Sequence, residues 1–368
     1  YQHVIEESEK YPLKNFIVLV PEQFTMQTQK DLVSMHPRHG IMNIDVLSFA
    51  RLAYRVFEET GTKQMQVLDD EGKNLILRKI AGDYENKLTV LKGNIKKLGY
   101  ISEVKSVISE FTQYDIGEEE MDEMLDHLDE DSRLYYKLKD IRLLYEGFQD
   151  YLRERYITKE ELLDVLNSQV KESELLKNSV VVLDGFTGFT PVQNRLILEL
   201  MRCCKEVWVT VTMDERENPY AYKHPYQLFG LSKQMVTTLV RMAGEDHIEV
   251  EEPVCLYGYP VKRFEKNQEL AFLERNIFRY GSGRYDKAVE NLEIHAAGNP
   301  RQEADAVAEG IRRLVRKEQY RYRDIGVIVS DMNVYGDYLE QAFENYGIPV
   351  FMDHKRSILL NSFVEYIR

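Results

Sequence analysis

The stretch Asn178 to Leu196, NSVVVLDGFTGFTPVQNRL, limits the folds open to this chain more than any other. Val180, Val181, Val182 and Leu183 run unbroken into Asp184. A strand that is apolar on both faces must be covered on both faces, the condition of a parallel strand inside an α/β sheet. The same reading puts the Asp184 carboxylate at the strand's C-terminal tip, the edge beyond which open parallel sheets bind their ligands. Gly185 follows directly, with no side chain to offer.

Other segments repeat the α/β pattern. Phe16 to Val20 reads as a strand ended by Pro21, and proline is tolerated in the first turn of the helix expected next. Ile44 to Leu47 reads as a second strand. Ser48 then caps a helix carrying Phe49, Leu52, Ala53, Val56 and Phe57 on one face, with Gly61 as its stop. Val207 to Val211 reads as a further strand and holds the single tryptophan. From Val67 to Val170 the pattern is helical, with no strand expected. Val104, Val107, Ile108 and Phe111 share a face, Leu134 to Leu152 repeats at spacings of four and three, and Thr158 with Glu161 forms a capping box. Residues 215–290 are aromatic-rich and irregular, with helical stretches near Leu231 to Met242 and Leu270 to Phe278. A new α/β module then begins at LEIHAAGNP: a strand, a helix opened by Asn299 and Pro300, a strand from Ile325 to Val329, a helix ended by Gly347, and IPVFMD. The expected organisation is a first α/β domain (1–65 and 172–290), an all-helical insertion (66–171) and a truncated second α/β domain (291–368).

A chain of 368 residues exceeds one ordinary core. Its net charge of -14 argues against coating nucleic acid through the bulk field, although a local groove can still bind. The acidic run Glu118 to Asp131 reads as a solvated helix face or loop. Three cysteines, Cys203, Cys204 and Cys255, have no metal-ligand spacing, and His36 and His39 lack a third ligand, so no metal is expected in this chain. The absence of an apolar run long enough for a membrane helix and of a signal-peptide core makes the cytoplasm the expected compartment. The chain does not open on Met and stops inside a helical pattern at Arg368, so it reads as part of a longer polypeptide.

Four segments in this order, VPEQFTMQTQ, VLSFARLAYRVF, VVVLDGFTGFTPVQNRLILEL and the module from Arg301, resemble superfamily 1A DNA helicases of the UvrD/RecB type. More closely they resemble the B subunits of AddAB-type helicase-nucleases. The resemblance implies RecA-like, P-loop NTPase-type domains. It also implies a heterodimer with an A-type helicase-nuclease subunit, which processes double-strand DNA ends for recombinational repair and acts on single-stranded DNA drawn from a duplex end. ATP with Mg2+ and a 4Fe-4S cluster belong to the whole family protein, and none of these cofactors is expected in this chain. In those helicases the third segment carries a magnesium-binding Asp, a catalytic Glu and a Gln. Asp184 and Gln193 match the first and last as nucleotide-binding candidates, and Gly185 replaces the Glu, which removes the base that prepares the attacking water. No GxxxxGK[ST] loop occurs in these residues, and MDERENPYAY stands where a Gly-Asp-x-x-Gln element would follow VWVTVT.

The resemblance assigns single-strand contact to Gln23, Phe24, Gln27, Ser48, Phe49 and Arg51. Helix N-termini bind phosphates and aromatics stack on bases. Phe49 equally suits core packing, the roles of Gln23 and Gln27 stay open, and Arg51 lies off the apolar face. Arg312 and Arg316 belong either to a solvated helix face or to a DNA-backbone contact. Three functions remain: a motor-inactive DNA scanner, a scaffold that binds only the partner subunit, and an active ATP-driven helicase.

Overall fold

The computed structural model describes residues 1–368 except 62–65, 96, 154–155, 259–260, 282, 353–360 and 368. These residues form two compact units, 1–256 and 257–368.

The first unit opens with α1 (Gln2–Lys10), β1 (Asn15–Leu19), α2 (Thr25–Met35), β2 (Ile44–Leu47) and α3 (Phe49–Thr60). It continues through β3 (Gln66–Leu68), α4 (Asp70–Asp83), α5 (Leu98–Gln113), α6 (Glu118–Asp126), α7 (Arg133–Leu152) and β4 (Tyr156–Thr158). It closes with α8 (Leu162–Gln169), α9 (Glu174–Lys177), β5 (Ser179–Leu183), α10 (Pro191–Cys203), β6 (Glu206–Val209) and α11 (Gly230–Glu245). The sheet expected from the apolar runs is present. Its order is β2-β1-β5-β6, and every pair is parallel. Leu19 pairs with both Leu47 and Leu183, so the strand tips stand level.

Alternation divides each central strand between two cores. Ile17, Leu19, Val181 and Leu183 pack with α3, α8 and α10, whereas Phe16, Val18, Val180 and Val182 pack with α1 and α2. Burying each such side chain contributes roughly 1.5–3 kcal/mol relative to exposure. From β1 the chain steps to β2 on one side, and from β5 to β6 on the other. Right-handed crossovers then send α2 and α10 to opposite faces, and a crevice opens between the tips of β1 and β5.

The insertion departs from the expected pattern. It is mostly helical, and α4 to α7 bury their own core around Leu77, Leu144 and Phe148. It is not strand-free, however, because β3 and β4 pair in parallel as a two-stranded ribbon. Val67 and Ile157 turn toward the sheet domain's core, and Leu68 and Tyr156 toward the insertion's core. Three residues are too few to display a period of two, and the partners lie ninety positions apart, so the local pattern conceals them. Lys73 of α4 and Glu160 form a buried ion pair at 2.7 Å. Arg195 of α10 binds Asp115 beside α5, and Asp164 of α8 at 2.8 Å.

The second unit holds α12 (Gln268–Asn276), α13 (Pro300–Lys317), α14 (Met332–Asn345) and α15 (Ser362–Ile367). Asn299 caps α13 as expected, and Gly347 stands at φ +61 beyond α14. Ala304, Ala308, Ile311, Leu339 and Phe343 bury the seam between α13 and α14. The strands expected near Leu292 to Ala296 and at Ile325 to Val329 are not strands among the described residues. A strand exists only in a ladder, and no described segment pairs with either. Ile325 and Val329 still pack on the helix seam, whereas Ile328 between them is fully exposed.

Candidate functional site at the carboxyl edge of the sheet

Parallel pairing runs one residue past the strands and fixes what stands at their tips. Val20 N–H donates to the Leu47 carbonyl (3.0 Å), Asp184 N–H to that of Leu19 (2.9 Å) and Thr210 N–H to that of Leu183 (2.9 Å). Asp184 therefore lies at the same edge as Pro21, beside the crevice. Its Oδ1 accepts from the Thr210 hydroxyl at 2.5 Å and its Oδ2 from the Tyr1 hydroxyl at 2.8 Å. Tyr1 Oη also lies 3.3 Å from Thr28 Oγ1 on α2. Burial leads in pushing the Tyr1 hydroxyl above its ordinary value, with the Thr28 contact opposing and Asp184 adding to it. Gly185 turns the chain away at φ +77, and a Cβ built there would meet only Pro21 Cδ, at 3.7 Å.

The loop beyond Gly185 closes over α3. Phe186 and Phe189 pack on Phe49, with ring centroids 5.5 and 6.3 Å away. Thr190 then opens α10 with a capping box, in which its N–H donates to Gln193 Oε1 (2.9 Å) and the Gln193 N–H donates to Thr190 Oγ1 (3.3 Å).

The DNA candidates of the first unit all stand at this edge, in different states. Ser48 is buried and accepts from the Arg51 N–H as the α3 cap. Phe49 is buried among the aromatics. Arg51 is exposed, with no side-chain partner among the described residues. Gln23 and Phe24 are exposed before α2, and Gln27 Nε2 donates to Asp31 at 2.7 Å. In the second unit, Arg312 donates to the Tyr322 hydroxyl at 3.3 Å and Arg316 is exposed on α13. Sequence reading passed over Thr210, Tyr1, Thr28, Phe186 and Phe189. Thr210 had a usable signal, since it follows an apolar strand at the point where Asp184 follows its own.

Both Asp184 oxygens accept from hydroxyls, the next residue has no side chain, and no group of three or more His, Cys, Asp or Glu is placed to hold a metal among the described residues. Cys203 and Cys204 adjoin each other at the end of α10, and burial pushes the Cys204 thiol up to about 12. No helix among the described residues is long and apolar enough to cross a membrane.

Residues 1–274 match the family described as ADDB, N-terminal. The chain belongs to that family. It is 44% identical over its whole length to the B subunit of the ATP-dependent helicase/deoxyribonuclease of Lachnoclostridium phytofermentans, and 35% identical to that of Caldanaerobacter subterraneus subsp. tengcongensis. The Clostridium kluyveri protein of the same name is 34% identical over 96% of the chain. The chain spans about a third of each relative's length: 32%, 31% and 31%. An AddB-family chain with a parallel sheet and a helical insertion fits the RecA-like fold expected from the sequence.

Proposed function

We propose that the chain is the motor-inactive, DNA-scanning part of a helicase/exonuclease subunit that processes double-strand DNA ends for recombinational repair. The carrying observation is the pair Asp184–Gly185 at the sheet's carboxyl edge. In-line attack on a γ-phosphate needs a group that orients water, and a glycine turned to φ +77 supplies none. The relatives' names, which join helicase to deoxyribonuclease, support placing the chain in such a complex. An A-type subunit would supply the motor, and other parts of the B polypeptide would carry the nuclease and the 4Fe-4S cluster. ATP, if the complete polypeptide binds it, would take its phosphate cradle from residues outside this chain. The work is cytoplasmic, where a bacterial chromosome lies.

The strand would cross the edge that holds Gln23, Phe24 and Arg51, since these are exposed there. In an acidic protein such binding rests on a few placed contacts rather than the bulk field. The test is single-strand affinity of the assembled complex against salt. Arg51→Ala is expected to lower affinity and to reduce the salt slope by about one unit, with stability unchanged. Parallel lines of equal slope for the two proteins would place the DNA path elsewhere.

A further inference from the structure

We infer that Asp184 works as a hydroxyl-held clasp pinning α1, β5 and β6 together at the sheet edge, and not as a ligand for a divalent cation. A carboxylate only accepts, so both hydroxyls must point their protons at it: Thr210 at Oδ1 (2.5 Å) and Tyr1 at Oδ2 (2.8 Å). The Tyr1 hydroxyl has one proton, which is committed to Asp184. The 3.3 Å contact with buried Thr28 therefore has Thr28 as donor. The chain of bonds runs Thr28 to Tyr1 to Asp184, with Thr210 arriving from the other side. It draws on α2, the residue that opens α1, the tip of β5 and the tip of β6.

Hydrogen bonds from hydroxyls to a carboxylate are among the strong ones, and 2.5 Å is their short limit. A cation at this place would compete with a hydroxyl donor at each Asp184 oxygen. Among the described residues it would also find no group of carboxylate, histidine or cysteine side chains gathered to complete its shell. The other survivor of the helicase segment is redirected in the same way, since Gln193 Oε1 is held by the Thr190 N–H. The residues of a hydrolytic motif thus remain in place as internal acceptors. The clasp stands whether or not the chain scans DNA, and none of the variants below touches Arg51.

The experiment uses the complete B polypeptide assembled with its partner. Hydrogen exchange is followed in the peptides of α1 and β6, and bound Mn2+ is counted by electron paramagnetic resonance. Thr210→Val and Tyr1→Phe are each expected to speed exchange in these peptides roughly fivefold, the effect of losing one hydrogen bond. Neither is expected to add to the effect of Asp184→Ala. Thr210→Ser keeps the donor and is expected to exchange like wild type, which tests the clasp even if Asp184→Ala fails to assemble. The Mn2+ count is expected to be equal in wild type and Asp184→Asn. One Mn2+ fewer in Asp184→Asn, effects that simply add, or Thr210→Ser behaving as Thr210→Val would each overturn the clasp.

Discussion

Restoring the missing glutamate by Gly185→Glu is expected to destabilise the protein without starting hydrolysis. The reason lies in the backbone. Gly185 sits at φ +77, where an L-residue brings its Cβ against the carbonyl at a cost of roughly 1–2 kcal/mol. Space is not the obstacle, because the nearest atom to a new Cβ is Pro21 Cδ at 3.7 Å, an ordinary contact. Gly185→Ala therefore isolates the conformational penalty. The gain from stiffening the unfolded chain is about 0.4–1 kcal/mol and does not offset it. A net loss near 1 kcal/mol lowers the midpoint of a domain this size by roughly 2–4 °C. Gly185→Asn should lose less, since Asn tolerates left-handed backbone. Gly185→Glu should lose at least as much as Ala and add a second carboxylate beside Asp184. The assay pairs thermal unfolding of the three variants with ATP turnover by the complex carrying a motor-dead partner subunit. Neutral or stabilising Gly185→Ala would refute the backbone argument. Turnover by Gly185→Glu that disappears with Asp184→Ala would refute the reading of a site that one residue cannot revive.

Phe49→Ala should cost about 3–5 kcal/mol in chemical denaturation, because Phe49 is buried against Phe186 and Phe189; a loss below about 1 kcal/mol together with weakened DNA binding would instead mark it as a stacking platform. Alkylation by iodoacetamide at pH 8, read by mass spectrometry, should label exposed Cys255 first, then Cys203, and last Cys204, whose thiol burial pushes up to about 12. The Glu269 carboxylate is held below the ordinary 4.5 by the backbone N–H groups of Glu290 and Asn291, so its stabilisation is complete above pH 4.5 and is lost as pH falls through the lowered folded value. Acid unfolding of the second unit should therefore lose one proton-linked step in Glu269→Gln, and identical acid profiles for the two proteins would contradict this.

Much of the sheet was legible because its two central strands, β1 and β5, are buried on both faces and announce themselves as apolar runs. The Ser48 cap, the Gly61 stop and the Thr158–Glu161 box were legible because each is a local bond written in three or four residues. What escaped was long-range or ambiguous. The β3–β4 ribbon leaves three residues at each end of a long excursion. Ile325 to Val329 has a strand's composition, yet composition cannot supply the neighbour that a ladder needs. Thr190-x-x-Gln193 reads equally as a helicase glutamine and as a helix cap, and the structure shows the cap's bonds. Tyr1 and Thr210 reach Asp184 only through folding, since 183 and 26 positions separate them from it.

The two-stranded ribbon gives the insertion a mechanical character. Val67 and Ile157 are seated in one core while Leu68 and Tyr156 are seated in the other. Because side chains alternate, sliding β3 by a single residue would throw each of its side chains into the wrong core. The ribbon is thus keyed on both sides, like a splined shaft between two hubs. A slip of the ribbon would therefore have to unseat side chains in both cores at once.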